Sequence, residues 1–134
     1  MKLLVVCLGN ICRSPLAEGA LRAHIEASHL ANRVEVDSAG TGHWHQGEPP
    51  DRRAIACAST HGMDISGQRA RQLNRADFDH FDWLLCADAS VVRDVLRLAM
   101  QDADACVLGV QHAPVAQQRT DQGLKGRRVC RWNE

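Results

Sequence analysis

The chain has 134 residues, 45% of them hydrophobic and 24% charged, with a formal net charge of zero. That size and balance fit one globular domain around a single core. They exclude a polybasic nucleic-acid binder or a protein held at a membrane surface by charge, and no apolar run approaches the length of a membrane span.

Residues 2–7 (KLLVVC) form a short apolar run, the pattern of a strand buried on both faces. Ser14 and Pro15 read as a helix N-cap and first helical residue. Ala17, Leu21 and Ile25 then recur every four residues, predicting a helix to about Ser28 or Ala31. Val34, Glu35 and Val36 begin a second strand, ended by the turn-rich stretch SAGTGHWHQGEPP. A second helix is expected from near Pro50 and Asp51, with Ala54, Ile55 and Ala58 turned inward and a stop at Gly62. WLLCA (83–87) reads as the third strand. Ser90 then caps a helix with Val92, Val95, Leu96 and Ala99 on one face, and ACVLGV (105–110) is the fourth strand. The last 24 residues show neither period.

This alternation predicts an α/β fold with a parallel sheet covered on both faces. In such sheets ligands sit at the carboxyl ends of the strands, where the strand order reverses, and Cys7 lies at such an end. Six cysteines could pair in an oxidising compartment. Against this, Arg13 interrupts the apolar start too soon for a signal core, and Val6 is too bulky to precede a lipid-modified cysteine. Cys86 and Cys106 sit in apolar runs where buried free thiols are common. Reduced thiols and a cytoplasmic location are expected. No close Cys or His pairs have the spacing of a structural zinc site, so no metal or other cofactor is expected. Charge is uneven: from Gln111 onward five basic residues face Asp121 and Glu134.

Between Cys7 and Arg13 lie five residues (LGNIC) that feed directly into a helix start. Successive backbone N–H groups of Leu8, Gly9, Asn10, Ile11, Cys12 and Arg13 can form a nest for an anion, aided by the helix dipole. Gly9 permits a positive φ and close ligand approach, and Asn10 tolerates the left-handed region while pinning the loop. Arg13 supplies a planar fork for two phosphate oxygens. The same surroundings, with the Ser14 hydroxyl, favour the thiolate of Cys7, which is the nucleophilic form. Cys12 is a small core residue or a redox partner for Cys7.

VCLGNICRSPLAEG resembles the active-site loop of the low-molecular-weight protein tyrosine phosphatases. DSAGTGHWHQGEPPDRRA, HGMDISGQRARQL and FDWLLCAD resemble that family's next segments in order, a likeness over about residues 1–100. The resemblance implies one domain over residues 1–134 with a flavodoxin-like three-layer fold, a four-stranded parallel sheet and an atypical segment 111–134. It implies hydrolysis of aryl phosphate monoesters through a cysteinyl-phosphate. Cys7 is then the nucleophile, Arg13 the phosphate clamp and Ser14 the thiolate's aid, while Asn10, Ser38 and Asp88 support the loop. Trp44 takes the place of a substrate-cleft wall; His43 and His45 are read as solvated loop residues, and Cys57 and Cys86 as core.

One departure from the family pattern is large. The family takes its general acid from an Asp-Pro pair near the C-terminus, followed by aromatic residues and a closing helix. This chain has no Asp-Pro and no tyrosine. Asp121 is the acid available between Gln111 and Glu134, and it lacks the proline, so the general acid stays unassigned. A replaced C-terminal segment, with the closing helix missing or altered, predicts reduced activity and a partly uncovered sheet that favours self-association. Three readings follow. The first is a phosphatase for phosphotyrosine proteins or small aryl phosphates, the second a module that binds phosphate-like anions or phosphotyrosine with little turnover. The third is arsenate reduction, which the scattered Cys57, Cys86, Cys106 and Cys130 disfavour. No nucleic-acid or membrane partner is expected.

Overall fold

The structure, a computed structural model, describes residues 1–101 and 128–131. Its elements run β1 (Lys2–Cys7), α1 (Arg13–Ala27), β2 (Glu35–Gly40), α2 (Arg52–Thr60), α3 (Arg75–His80), β3 (Trp83–Cys86), α4 (Ala89–Met100) and β4 (Arg128–Arg131). The four strands are parallel in the order β2-β1-β3-β4. From β1 the chain moves first to β2 on one side and later to β3 on the other. The order therefore reverses at the carboxyl end of β1, where a parallel sheet opens a crevice and where Cys7 stands.

Side chains alternate across a strand, and β1 uses both faces. Leu4 and Val6 join Phe78, Phe81, Leu84, Val91 and Val95 in the larger core beneath α3 and α4. Leu3 and Val5 join Ile25, Leu21 and Val36 beneath α1. Cys7 shares the parity of Val5, so its thiol emerges on the α1 side. A third cluster, Ala54, Ala58 and Ile65 with Leu16, packs α2 on α1. Burying Leu4, Val5, Val6 and Leu84 almost completely contributes about 1.5–3 kcal/mol for each side chain.

Several expectations need correction. Helix α1 begins at Arg13 with Cys12 as its N-cap, and Ser14 is no cap: its hydroxyl faces the thiol instead. Pro15 still falls in the first turn, where its missing N–H leaves no bond unmade. Asp88, and not Ser90, caps α4, accepting from the N–H groups of Ser90 and Val91. The buried face of α4 is Val91, Val95 and Ala99, with Val92 and Leu98 packed beside it. Strand β2 runs on through Ser38, Ala39 and Gly40, residues assigned above to a turn. The six-residue α3 went unread. Cys57 is exposed on α2, whereas Cys86 is buried in β3. The expected strand 105–110 and the closing helix lie outside the described residues; β4 is formed by Arg128–Arg131. Among the described residues no helix is long and apolar enough to cross a membrane.

Candidate active site

The segment joining β1 to α1 is held by its carbonyls. Cys7 O accepts from Thr41 N (2.9 Å), Leu8 O from Gly42 N (2.8 Å) and Ile11 O from Asp51 N (2.7 Å). The N–H groups of Gly9, Ile11 and Cys12 have no acceptor among the described residues. Carbonyls tied outward with amides left over make an anion nest at a helix N-terminus. Asn10 N–H is the exception, donating to Cys7 Sγ at 3.2 Å. The positive φ of the loop belongs to Asn10 (55°), and Gly9 does not adopt one. Smallness matters at Gly9 for another reason: a Cβ there would lie 3.2 Å from the His45 ring. Gly40 is more tightly constrained, since its Cβ would meet Leu8 O at 2.8 Å and Asn10 N at 3.1 Å.

Behind the loop runs a buried polar chain. Cys7 Sγ lies 3.0 Å from Ser14 Oγ. Asn10 Nδ2 donates to Ser14 Oγ and to Ser38 Oγ, each at 2.9 Å, and Asn10 Oδ1 accepts from Arg71 N at 2.9 Å. Ser38 Oγ donates onward to Glu18 Oε2 at 2.6 Å, and Glu18 Oε1 accepts from Arg22 Nε at 2.8 Å. Asn10, Ser14, Ser38 and Glu18 are all buried, and the chain is satisfied at each step, as buried polar networks must be. Arg71 is itself clamped, its guanidinium between Asp37 and Asp77. Sequence reasoning found Asn10, Ser14 and Ser38 but missed Glu18, Arg71 and Gly40. A signal for Glu18 was available: Ser14, Glu18 and Arg22 repeat every four residues on one stripe of α1.

Arg13, exposed at the mouth of the loop, donates Nη1 to Asp88 Oδ2. The Ser90 hydroxyl, the Val91 N–H and Arg13 together hold the Asp88 carboxyl well below the usual carboxylate range. Asp88 thus serves both as a helix cap and as the anchor of Arg13. Burial, then the nearby Asp51 charge, push the Cys12 thiol up from its ordinary value. Cys12 is half-buried and carries no disulfide. Asp121 lies outside the described residues. Among the described residues no cluster of His, Cys, Asp or Glu is suited to hold a metal.

Trp44 and Leu8 are among the few large apolar side chains left exposed, 56% and 45%. They border a cleft of about 240 Å³ lined also by Thr41, Leu73, Asp94 and Leu98. The Trp44 ring leans over Gly42, 2.3 Å from where a Cβ would sit. An aromatic plate beside a thiol-floored anion nest suits an aryl ester. His45, expected to be solvated, instead packs on Gly9 and places Nδ1 2.7 Å from Glu48 Oε2.

Comparison with known proteins gives a consistent result. The sequence profile of the family described as low molecular weight phosphotyrosine protein phosphatase matches residues 2–121, reaching past the segment in which the resemblance was read. The low molecular weight phosphotyrosine protein phosphatase of Pongo abelii is 45% identical over 98 residues, 73% of this chain and 61% of that protein. The low molecular weight protein-tyrosine-phosphatase of Streptomyces coelicolor is 45% identical over 75% of this chain and 60% of its own length. The match thus spans about three-fifths of these curated relatives. Among solved structures, YfkJ from Bacillus subtilis superposes with a TM-score of 0.73 at 35% identity, over 78% of this chain and 67% of that one. A Drosophila arginine phosphatase does so with a TM-score of 0.74 at 31% identity, over 78% and 66% respectively.

Proposed function

Because the chain belongs to the low molecular weight phosphotyrosine protein phosphatase family, we propose that it hydrolyses aryl phosphate monoesters, protein phosphotyrosine foremost, through a cysteinyl-phosphate on Cys7. The observation that carries this reading is the floor of the loop. Sγ faces the Asn10 N–H and the Ser14 hydroxyl beneath the amides of Gly9, Ile11 and Cys12, which have no acceptor among the described residues. Donors on sulfur stabilise the attacking thiolate, and the amides with Arg13 match the three equatorial oxygens of a phosphoryl group in transfer. Sγ forms its bond to phosphorus as the bond to the aryl oxygen breaks, and water then displaces sulfur. Leu8 and Trp44 hold the phenyl ring; Asn10, Ser38 and Asp88 hold the loop and Arg13. Cys12 serves as the thiol partner that would cap an oxidised Cys7. The reaction asks for no cofactor, and a cytoplasmic location suits its free thiols.

The test compares turnover of p-nitrophenyl phosphate, a phosphotyrosine peptide and a phosphoarginine peptide, with Cys7→Ser as control. The third substrate enters because one structural neighbour is titled an arginine phosphatase. Turnover of the tyrosine ester, abolished in the control, is expected. Phosphate binding without turnover of any ester would replace the enzyme by a binding module.

A further inference from the structure

The cleft beside the phosphate loop differs in chemistry from the nest. Its rim is apolar and exposed, formed by Leu8 of the loop and by Trp44. Its floor is Leu73 and Leu98, both packed in the core beneath α4. Asp94 stands one turn before Leu98, so the two share a stripe of α4. Among the described residues that line this cleft, Asp94 is the one that carries a charge.

Three arginines of the site already hold carboxylates of their own. Arg13 donates to Asp88, Arg53 to Asp51, and Arg71 is clamped between Asp37 and Asp77. Asp94 has a looser partner in Arg97, at 3.3 Å and three residues on along the same helix, with the two side chains 39% and 76% exposed. An exposed pair of this kind is weak, so the carboxylate is available to a cation that arrives in the cleft.

An aromatic plate, an aliphatic floor and a single carboxylate are the complement of a long amphipathic cation. Its methylene stem lies on the leucines, and its charged head meets the indole face and the carboxylate. An acidic side chain in the same place meets repulsion. A phosphotyrosine with its phosphoryl group in the nest and its ring on Leu8 and Trp44 carries its peptide chain outward. The group that reaches Asp94 is then a side chain next to the phosphotyrosine.

We propose that Asp94 is a specificity-determining residue that selects phosphotyrosine sites flanked by lysine or arginine, an inference that rests on the phosphatase reading above and narrows its substrate class. No bond made or broken in the reaction passes through Asp94, and the contact is the same in the bound and transition states. The preference therefore falls on KM rather than kcat.

The experiment gives the full chain phosphotyrosine peptides identical except for lysine, alanine or glutamate on the flanks, with p-nitrophenyl phosphate as the gauge of an active enzyme. Each protein reports the ratio of kcat/KM for the lysine and glutamate peptides, so a change in overall activity cancels. Wild type should favour lysine by about 5- to 20-fold at low salt, with kcat values within about 2-fold of each other. In about 1 M salt, where the screening length is about 3 Å, the ratio should shrink towards one. Asp94→Asn should bring it within about 2-fold of one, Asp94→Lys should invert it, and Arg97→Gln should keep or raise it. A wild-type ratio near one, a ratio unchanged in Asp94→Asn, or one lost in Arg97→Gln alone would overturn the assignment. So would turnover of p-nitrophenyl phosphate with none of any phosphotyrosine peptide. A phosphoarginine peptide whose turnover depends on Asp94, beside a lysine-to-glutamate ratio of one, would overturn it by placing the selected cation on the phosphorylated residue itself. Failure of wild type on every ester, p-nitrophenyl phosphate included, would instead remove the phosphatase reading and this inference with it.

Discussion

Asn10 is the residue whose loss should be felt most widely. It is 2% exposed, holds φ at 55°, and bonds to Ser14, Ser38 and Arg71 N through its side chain. Asn10→Ala orphans the Arg71 N–H, at about 1–3 kcal/mol, the lower part of that range applying to a half-buried donor. The two hydroxyls keep other partners, so each loses about 0.5–1.5 kcal/mol. Alanine in the left-handed region adds up to about 1 kcal/mol relative to asparagine. The sum is about 2–7 kcal/mol, with a midpoint of about 4–5 kcal/mol that corresponds to a fall of about 10–20 °C in melting temperature for a domain of this size. Urea denaturation followed by tryptophan fluorescence measures it, with Asn10→Gly as the partner variant. Glycine removes the same bonds but adopts φ 55° freely, so it should recover no more than about 1 kcal/mol. An Asn10→Ala variant within about 1 kcal/mol of wild type, or full recovery by glycine, would refute the hydrogen-bond account.

Three further outcomes are expected. Gly40→Ala forces a Cβ to 2.8 Å from Leu8 O. It should cost about 1–3 kcal/mol in stability while weakening phosphate binding by calorimetry, because the atom that must yield is loop backbone. Unchanged phosphate affinity would sink that reasoning. The Asp88 carboxyl sits below its ordinary value of 3.8, so its contribution is complete above that pH and drains as pH falls beneath it. Asp88→Asn should therefore flatten the acid limb of melting temperature against pH, and parallel limbs would count against the argument. In Cys7→Ser protein, exposed Cys57 should alkylate before Cys12, whose thiol is half-buried and raised; peptide mapping of a brief iodoacetamide exposure reads the order.

The first strand, the loop and the helix after it were legible because each carries a local signature: an apolar run, a Gly-Asn pair and a four-residue repeat. Asn10 in the left-handed region was foreseen from its chemistry, while the same freedom at Gly9 was assigned by residue type and does not occur. Ser14 shows why local rules mislead at a site. Serine before proline is a good cap by statistics, yet the approach of Cys7 recruits its hydroxyl for the sulfur. Helix α3 has six residues, too few to show a period, although Asn74 and Asp77 form a reciprocal cap at its start. Glu18 and Arg71 escaped because a charged residue reads as solvent-facing until the partners that bury it are known. Those partners, Ser38 for Glu18 and Asp37 for Arg71, lie 20 and 34 positions away.

The bonds of Asn10 gather four stretches of chain at one point: its own loop, the start of α1, the middle of β2, and Arg71, which is 61 positions distant. Closing a span of that length must precede the reward of the contact. Possession of the Cys-to-Arg signature and possession of a working cradle are therefore separate conditions. The cradle comes into being when the sheet has threaded and the segment at Arg71 has docked beside Gly40, so anion affinity regained during refolding marks the end of assembly rather than its beginning.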